Sequence, residues 1–433
     1  MDAFNQVFFE KSLNRLHLSQ KKSSGGVEAT AEFIDYAPDV TAEMYHADFW
    51  IRRCAHMENV IMDEKQISQL NDKILADDRC SHNIWKQQEI SEDYDSDWKT
   101  SRELGITLPL GKQPVGYGIC VRRADLRAWP GNTARSAEKI WIETDDTSDD
   151  KFQLSVVRVN MPVLITRESA DGQFYYIITY DYEGWSEKEC FAVCRNRGEW
   201  IQAQRMEHFL VVTVPGIRLE ISGQLLTMGV KLRLLEVEEI QKIRLNRSAW
   251  GCYIVAIPQR RPDGYYQLSY AAIPPAIGVH VGYLPYTMEN VIHLAFQFLG
   301  NRYGWGGMFE SVDCSQLVQE VYACFGIYLA RDAGVMIRTP GKRISFRGMN
   351  VKEKVEELDT LAIGSLLYFP GHIMIYLGKD GDEYYVISAV GSLKLPDKKE
   401  PESIQSVIVN ALTVQRGNGE IWAQEITDAL LIE

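Results

Sequence analysis

Apolar side chains recur every three or four positions in two segments of the last third of the chain, and this spacing predicts two helices. The first spans Met288 to Leu299 and ends at Gly300, and the second follows Asp313 and ends at Gly326. Aspartate is a favourable N-cap, and glycine is a common residue just past a helix end. A helix pair followed by strands is an α+β arrangement. The predicted strands are Leu366 to Leu377, Glu383 to Val390 and Ile404 to Val409.

The middle of the chain alternates short apolar segments with turns, a pattern that predicts strands. Two such stretches, residues 106–205 and 206–283, are each expected to form a small β-barrel. The strands predicted in the first are Gly118 to Val121, Ile140 to Glu143, Met161 to Thr166 and Phe174 to Thr179. Those predicted in the second are Phe209 to Val214, Lys231 to Glu236 and Gly251 to Ile257.

The N-terminal part of the chain, residues 1–105, is predicted to be a helical segment. Residues 1–30 include a polar stretch, Lys21 to Gly26, and helices are expected at Ala42 to Cys54 and Asp63 to Ile74. A chain of 433 residues exceeds what one core usually organises. The predicted fold is therefore α+β and multidomain, with units at 1–105, 106–205, 206–283 and 284–433.

Composition narrows the possible partners of the chain. With 45% hydrophobic and 24% charged residues, it is typical of a globular protein, and it has no apolar run near 18 residues. We therefore expect no membrane span, and a cytoplasmic location unless a signal peptide has been removed. The net charge of -13 opposes binding to nucleic acid and slows docking on other anionic polymers.

Eight cysteines are scattered along the chain without the paired spacing of zinc sites or of a disulfide scaffold. Cys190 and Cys194 are the nearest pair, and we interpret them as ordinary thiols. No metal and no cofactor is therefore predicted.

Cys314 and His372 form the strongest candidate for catalysis. Cys314 directly follows the N-cap Asp313, where unpaired N–H groups and the helix dipole should lower the thiol pKa. His372 lies in an apolar segment that predicts a buried strand, and an imidazole can activate a thiol. Each residue alone is more often an inert thiol or a core histidine, but together they predict a cysteine hydrolase site.

Four motifs in order resemble the NlpC/P60 papain-like peptidases of the bacterial cell wall. They are Arg302 to Gly307, Asp313 to Ser315, Leu329 to Ala333, and Gly371-His372. The resemblance implies that residues 284–433 form a papain-like catalytic domain. Phe49 to Arg53 and Ile67 to Asn71 resemble the N-terminal stabilising segment of such enzymes. Ala128 to Pro130 and Tyr182 to Trp185 resemble a bacterial SH3 domain, and residues 206–283 resemble a second one.

The resemblance assigns catalytic roles, with one departure. It makes His372 the general base for Cys314, and members of the family usually have a second histidine on the next strand to orient it. Ser388 occupies that place here, and no histidine follows His372 in the chain. A neutral hydroxyl stabilises imidazolium less than a charged partner does, so we expect reduced activity. Asp382 or Glu383 could replace Ser388 only in another strand register.

The resemblance also implies the substrate, the amide between D-γ-glutamate and a diamino acid in murein stem peptides. Asp313 and Ser315 match positions that contact the free amine of L-alanine, although Asp313 is also the expected N-cap. Tyr303 matches a site tyrosine and is either an oxyanion donor or a packing residue. Arg331 and Asp332 match an Arg-Asp pair that is either substrate-binding or a structural salt bridge.

The SH3-like domains of such enzymes close one end of the groove, so that only a free L-alanine terminus fits. Trp129, Tyr182 and Glu183 are the candidates for this role in the first of them.

Three functions stay open at this point. The first is an endopeptidase that acts on released murein fragments rather than on the intact wall. The second is a fragment-binding protein whose catalysis is weakened through Ser388. The third is a papain-like acyl transferase, or a peptidase directed at other targets, which would keep the nucleophile and change the acceptor.

Overall fold

The computed structural model describes residues 37–77, 116–128, 130–131, 150, 152–169, 171–220, 222–245, 248–395 and 398–433. Four predictions lie outside these residues: the polar stretch Lys21 to Gly26, the helical segment beyond residue 77, the strand Ile140 to Glu143 and the candidate Trp129. No helix in the described part of the chain is long and apolar enough to cross a membrane.

The N-terminal segment is helical, but the predicted helix Ala42 to Cys54 is wrong as a single element. A 3-10 turn at Ala42–Tyr45 is followed by helix α1 at Ala47–Ile51, and His46 between them is extended. The Trp50 indole N–H donates a hydrogen bond to the Met44 carbonyl at 2.9 Å. In a continuous helix that carbonyl would accept a backbone N–H four residues later. Helix α2, Glu64–Ala76, confirms the second prediction.

The first β-domain is an antiparallel sheet of seven strands in the order β3-β2-β6-β5-β4-β1-β7. Three of these strands confirm the predictions at residues 118, 161 and 174. A 3-10 turn at Lys188–Cys190 precedes the last strand, and helix α3, Arg197–Gln204, follows it. The strands are β1 Gly116–Cys120, β2 Ala124–Arg127, β3 Gln153–Val157, β4 Pro162–Glu168, β5 Phe174–Ile178, β6 Glu183–Glu187 and β7 Phe191–Cys194.

The second β-domain combines a five-stranded sheet, in the order β13-β12-β11-β8-β14, with the pair β10-β9. All three strands predicted there are present, and helix α4, Val237–Ile240, follows the fourth strand. The strands are β8 Phe209–Val212, β9 Gly216–Arg218, β10 Leu225–Thr227, β11 Lys231–Leu234, β12 Tyr253–Arg260, β13 Tyr266–Ile273 and β14 Val279–Val281.

The C-terminal domain packs helices against an antiparallel sheet in the order β15-β20-β16-β17-β18-β19. Both predicted helices are present, and a 3-10 segment at Trp305–Glu310 lies between them. The helices are α5 Met288–Phe296, α6 Cys314–Ala323, α7 Ala333–Met336, α8 Val351–Thr360 and α9 Trp422–Glu425. The strands are β15 Lys342–Ser345, β16 Leu366–Phe369, β17 His372–Asp380, β18 Glu383–Leu393, β19 Glu402–Ala411 and β20 Asp428–Leu431.

The predicted strand Leu366 to Leu377 is in fact two strands joined by a tight turn. Phe369 of β16 pairs directly with His372 of β17, so the chain reverses at Pro370 and Gly371. Proline has no N–H for a sheet ladder, and Gly371 has a φ of 93°, which other residues rarely adopt. His372 is therefore the first residue of its strand and lies at a sheet end, where a side chain can reach a cleft.

Helix α6 is buried on all sides, including its polar residues Gln316, Gln319 and Glu320. Buried polar groups need hydrogen-bond partners, and the neighbouring domains supply some of them. The Gln319 amide donates to the Tyr180 hydroxyl of the first β-domain at 3.1 Å. Asn71 of α2 binds the chain that follows α6 by donating to the Gly326 carbonyl at 2.7 Å. The other domains thus form the walls around the helix that begins at the candidate nucleophile.

The contact between the second β-domain and α6 predicts a sensitive glycine. Gly229 has a φ of 79°, and a Cβ there would lie 2.5 Å from the Ala323 Cβ. We expect Gly229→Ala to lower the free energy of unfolding by about 1–3 kcal/mol through overpacking. Gly223→Ala is the matched control, because Gly223 has a φ of 65° and no atom within 4 Å. Equal urea midpoints for the two variants would contradict a close packing of these domains.

Candidate active site

The start of α6 places Cys314 on the wall of a cleft. Asp313 caps the helix, because its Oδ1 accepts from the Gln316 N–H at 2.9 Å. The half-buried Cys314 thiol lies at the first helical position, where its sulfur accepts backbone N–H groups from Ile373 and Ser315. Two elements that are distant in sequence, α6 and β17, therefore meet at this sulfur.

His372 is held by two aromatic rings and one hydroxyl. Its imidazole lies 5.5 Å from the Phe369 ring and 5.0 Å from the Trp422 ring, measured between centroids. Its Nε2 is 3.0 Å from the Ser388 Oγ, and Ser388 is only 1% exposed within β18. Hydrogen bonding at Nε2 fixes the ring and leaves Nδ1 for exchange of a proton. The structure thus places Ser388 behind the histidine, within hydrogen-bond distance.

Burial, rather than the helix end, controls the ionisation of the pair. Burial, together with the nearby Asp313 carboxylate, raises the pKa of Cys314 to about 12. Burial and the positive charge of Arg416 lower the pKa of His372 to about 4. The expectation of a lowered thiol pKa is therefore wrong, because desolvation and the Asp313 charge outweigh the backbone N–H groups and the Arg331 charge, which lower the pKa of Cys314. At neutral pH the resting pair is a thiol and a neutral imidazole.

A buried ion pair joins Asp313 to Arg331. Arg331 donates from Nη1 to Asp313 Oδ1 at 3.0 Å and from Nη2 to Oδ2. The same guanidinium binds Ser315 Oγ at 2.7 Å and, through Nε, Ser155 Oγ of β3 at 2.9 Å. Burial alone would raise the pKa of Asp313, but this guanidinium and the hydrogen bonds lower it below its ordinary value. Arg331 thus pairs with Asp313, and the predicted substrate ligands Asp313 and Ser315 already have partners.

Asp332 differs from Asp313, because the Asp332 carboxylate forms no hydrogen bond or ion pair with another described residue. It is an exposed residue on the cleft wall. Although the residue as a whole is exposed, partial desolvation of its carboxylate by the surrounding protein raises the pKa of Asp332, and the neighbouring Asp313 and Asp181 act in the same direction. Arg331 opposes this shift. An unpaired carboxylate of this kind can accept a cation.

The cleft has a volume of about 590 Å³ and brings together residues from two domains. Seven of the predicted site residues line it, and Ser388 lies behind one of them. Tyr182 of the first β-domain also lines it, as predicted, whereas Glu183 is not among its lining residues. The seven are Tyr303, Asp313, Cys314, Ser315, Arg331, Asp332 and His372.

Several further lining residues were not predicted from the sequence, and Gln153, Trp305, Arg416 and Trp422 are among them. Gln153 and Trp305 join the two domains, because the Trp305 indole donates to the Gln153 carbonyl at 3.0 Å. Trp305 lies inside the Arg302 to Gly307 motif and could have been chosen from it. The others lie in stretches without a local signal.

Comparisons with known proteins agree with this architecture. Residues 300–430 match the NlpC/P60 family, and residues 138–187 match an SH3 domain of the SH3b1 type. The chain is 26% identical over 239 residues to Dipeptidyl-peptidase 6 of Lysinibacillus sphaericus, covering 53% of this chain and 78% of that protein. An NlpC/P60 endopeptidase from Photobacterium damselae subsp. piscicida shares the fold, with a TM-score of 0.65 at 16% identity. That match covers 88% of this chain and 96% of the other.

The resemblance to NlpC/P60 peptidases and the α+β multidomain fold are therefore confirmed. The domain boundaries and the roles of the individual site residues stay predictions.

The Arg331–Asp313 pair generates a prediction on stability. Replacing Arg331 with methionine leaves a buried carboxylate without its cation, so we expect a loss of about 3–5 kcal/mol in the free energy of unfolding. Arg343→Met is the control, because Arg343 is half-exposed and lies 3.7 Å from Asp428. Urea denaturation at neutral pH measures both. Small and equal losses of unfolding free energy in Arg331→Met and Arg343→Met would contradict a stabilising role of the buried pair.

The same experiment has a pH dependence with a definite sign. The pKa of Asp313 is lowered in the folded chain, so its contribution to stability is present above the unfolded pKa. That contribution is lost as the pH falls through the folded pKa. The difference between wild type and Arg331→Met should therefore shrink on acidification.

The raised pKa of Cys314 predicts slow alkylation at neutral pH. The rate of Cys314 modification by iodoacetamide should keep rising above pH 9, because the thiolate is the reactive form. Mass spectrometry of the Cys314 peptide measures the rate, with a free cysteine derivative as the reference thiol. A rate already at its plateau near pH 6 would indicate a thiolate–imidazolium pair and contradict this prediction.

Proposed function

We propose that this chain, whose residues 300–430 form an NlpC/P60 cysteine peptidase domain, hydrolyses short murein stem peptides at the amide between D-γ-glutamate and a diamino acid. The observation that carries the proposal is the cleft itself. Cys314 and His372 share it with the unpaired carboxylate of Asp332 and with a wall from the first β-domain. A nucleophile, a base and an ammonium acceptor are the groups that this reaction needs.

The proposed reaction uses the hydrogen bond between His372 and Ser388, which leaves Nδ1 of the imidazole for proton transfer. As the Cys314 sulfur attacks the amide carbon, Nδ1 of His372 takes the thiol proton, and Nε2–H donates to Ser388 Oγ. Donors at the start of α6, with the Tyr303 hydroxyl as a candidate, stabilise the oxyanion. His372 then protonates the amine as the C–N bond breaks. The amine departs, and the acyl group remains bonded to Cys314 as a thioester. Water, deprotonated by His372, hydrolyses that thioester and restores the thiol.

The ammonium of an N-terminal L-alanine is assigned to Asp332 rather than to Asp313. Asp313 is already neutralised by Arg331, so it attracts a second cation weakly. Asp332 carries a carboxylate that no described cation pairs with, and it lies on the same wall of the cleft. An ammonium bound there forms a charge-assisted hydrogen bond and also relieves the repulsion from Asp313.

The first β-domain limits the length of the acyl part of the substrate. Tyr182, Gln153 and Leu154 line the cleft together with the catalytic residues. A wall at that end leaves room for a short acyl segment with a free terminus, and a dipeptide such as L-alanyl-D-glutamate fits this description. The name of the relative Dipeptidyl-peptidase 6 supports release of a two-residue product.

Released fragments are the proposed substrate rather than the intact wall. The net charge of -13 repels anionic wall polymers at long range, whereas a small peptide is affected less. We accordingly propose a role in turnover or recycling of stem peptides, in the cytoplasm.

The test is hydrolysis of L-Ala-D-γ-Glu-meso-diaminopimelate, followed by mass spectrometry of the products. Wild type should release L-Ala-D-Glu, and Cys314→Ala should release none. Asp332→Asn should raise KM about tenfold or more, because one charge-assisted contact is lost. An N-acetylated peptide has no ammonium, so Asp332→Asn should change its KM little. Cleavage of intact sacculi without cleavage of the tripeptide would overturn the recycling proposal.

A second candidate is a fragment-binding protein with weak catalysis. The neutral resting pair and the neutral Ser388 favour it, because both lower the driving force for thiolate formation. In that case the tripeptide binds to wild type and to Cys314→Ala with equal affinity and is not turned over. A hydrolysis rate that Cys314→Ala abolishes would exclude this function.

A further inference from the structure

The histidine side of the cleft contains a cation that the proposed function does not use. Arg416 lies in the segment between β19 and α9 and lines the cleft beside His372 and Gly371. The unpaired carboxylate of Asp332 lies on another part of the cleft wall, near Tyr182 of the first β-domain. The cleft therefore offers one acidic and one basic group to a ligand, with the nucleophile in the same cavity.

Arg416 is held in place while part of its guanidinium stays available. Its Nη1 donates to Glu425 Oε2 at 3.0 Å, and its side chain is 33% exposed. Its guanidinium carbon lies 4.8 Å from the centre of the Phe369 ring. Its Nη2 lies beside the turn before His372, because it is 3.9 Å from the position that a Cβ would take if Gly371 had one. Glu425 thus pairs with Nη1 alone, whereas Nη2 lies beside Gly371, another lining residue, and has no hydrogen-bond partner among the described residues.

The position of Arg416 matches the leaving side of the proposed reaction. His372 gives its proton to the departing amine, so the residue that carries this amine lies next to the imidazole. In an α-amino acid the carboxylate is bonded to the same carbon as the amine. A planar guanidinium binds a carboxylate through two parallel hydrogen bonds, which makes arginine suited to this role.

We propose that Arg416 binds a carboxylate of the leaving diamino acid and thereby selects short peptides that end at this residue. The inference rests on the proposed function for the direction of the substrate. Two carboxylates satisfy the same chemistry. One is the C-terminal α-carboxylate of a tripeptide, and the other is the side-chain carboxylate of diaminopimelate.

Arg416 has another effect on the site that the test must separate from recognition. Its charge lowers the pKa of His372, so its loss alters catalysis with any substrate. Binding to a protein without the nucleophile avoids this problem, because no proton transfer is measured. Pairs of peptides that differ only in a carboxylate or a carboxamide then report the contact itself.

The experiment uses calorimetry on the Cys314→Ala protein, with and without Arg416→Gln. The ligands are L-Ala-D-γ-Glu-L-Lys, L-Ala-D-γ-Glu-meso-diaminopimelate, and their carboxamides at the C-terminus or at the diaminopimelate side chain. Arg416→Gln should weaken binding of the free acid about tenfold or more and change binding of the relevant carboxamide less than about threefold. Lys352→Gln is the charge-matched control, because Lys352 is 86% exposed on α8.

The arms separate the two sources and the two proposals. If Arg416→Gln no longer weakens binding of the C-terminal carboxamide, Arg416 binds the α-carboxylate. If it no longer weakens binding of the side-chain carboxamide, Arg416 binds the side-chain carboxylate of diaminopimelate. Equal weakening for acids and carboxamides, or no measurable binding of any peptide, would overturn the inference. A peptide that binds through Arg416 but is not hydrolysed by wild type would overturn the proposed hydrolase and leave the inference standing.

Discussion

The ion pair between Asp313 and Arg331 is the interaction on which the site depends. Its two charges are almost completely buried, and an uncompensated charge in that position is costly. Asp313 also accepts the Gly306 N–H at 3.0 Å, and Arg331 also binds Ser155 of the first β-domain. One pair of side chains thus connects the start of α6, the segment before it and the neighbouring domain. Cys314 is positioned because the residue before it is held on every side.

The domains around α6 determine what the cleft can admit. Polar residues of this helix are satisfied in part by Tyr180, and Gly229 of the second β-domain approaches the helix backbone closely. The first β-domain then contributes Tyr182 and Gln153 to the cleft wall. Packing that stabilises the helix therefore also shapes the binding site, so a change in domain docking alters both stability and recognition.

Desolvation sets the electrostatics of this cleft. It keeps the thiol of Cys314 protonated and the imidazole of His372 neutral, against the tendency of the helix end. Ser388 orients the imidazole without adding a charge of its own.

The sequence by itself determined the two helices α5 and α6 and the central residues of the site. The apolar periods of α5 and α6, the cap at Asp313, and the motifs around Cys314 and His372 are all local signals, readable over a few residues. The tertiary structure alone decided that Arg331 pairs with Asp313 and that Arg416 lies in the same cleft as His372. It also decided that burial reverses the expected pKa of the thiol. Helix periods, caps and short motifs are patterns among neighbours in sequence, whereas ion pairs and desolvation depend on which distant segments meet in space.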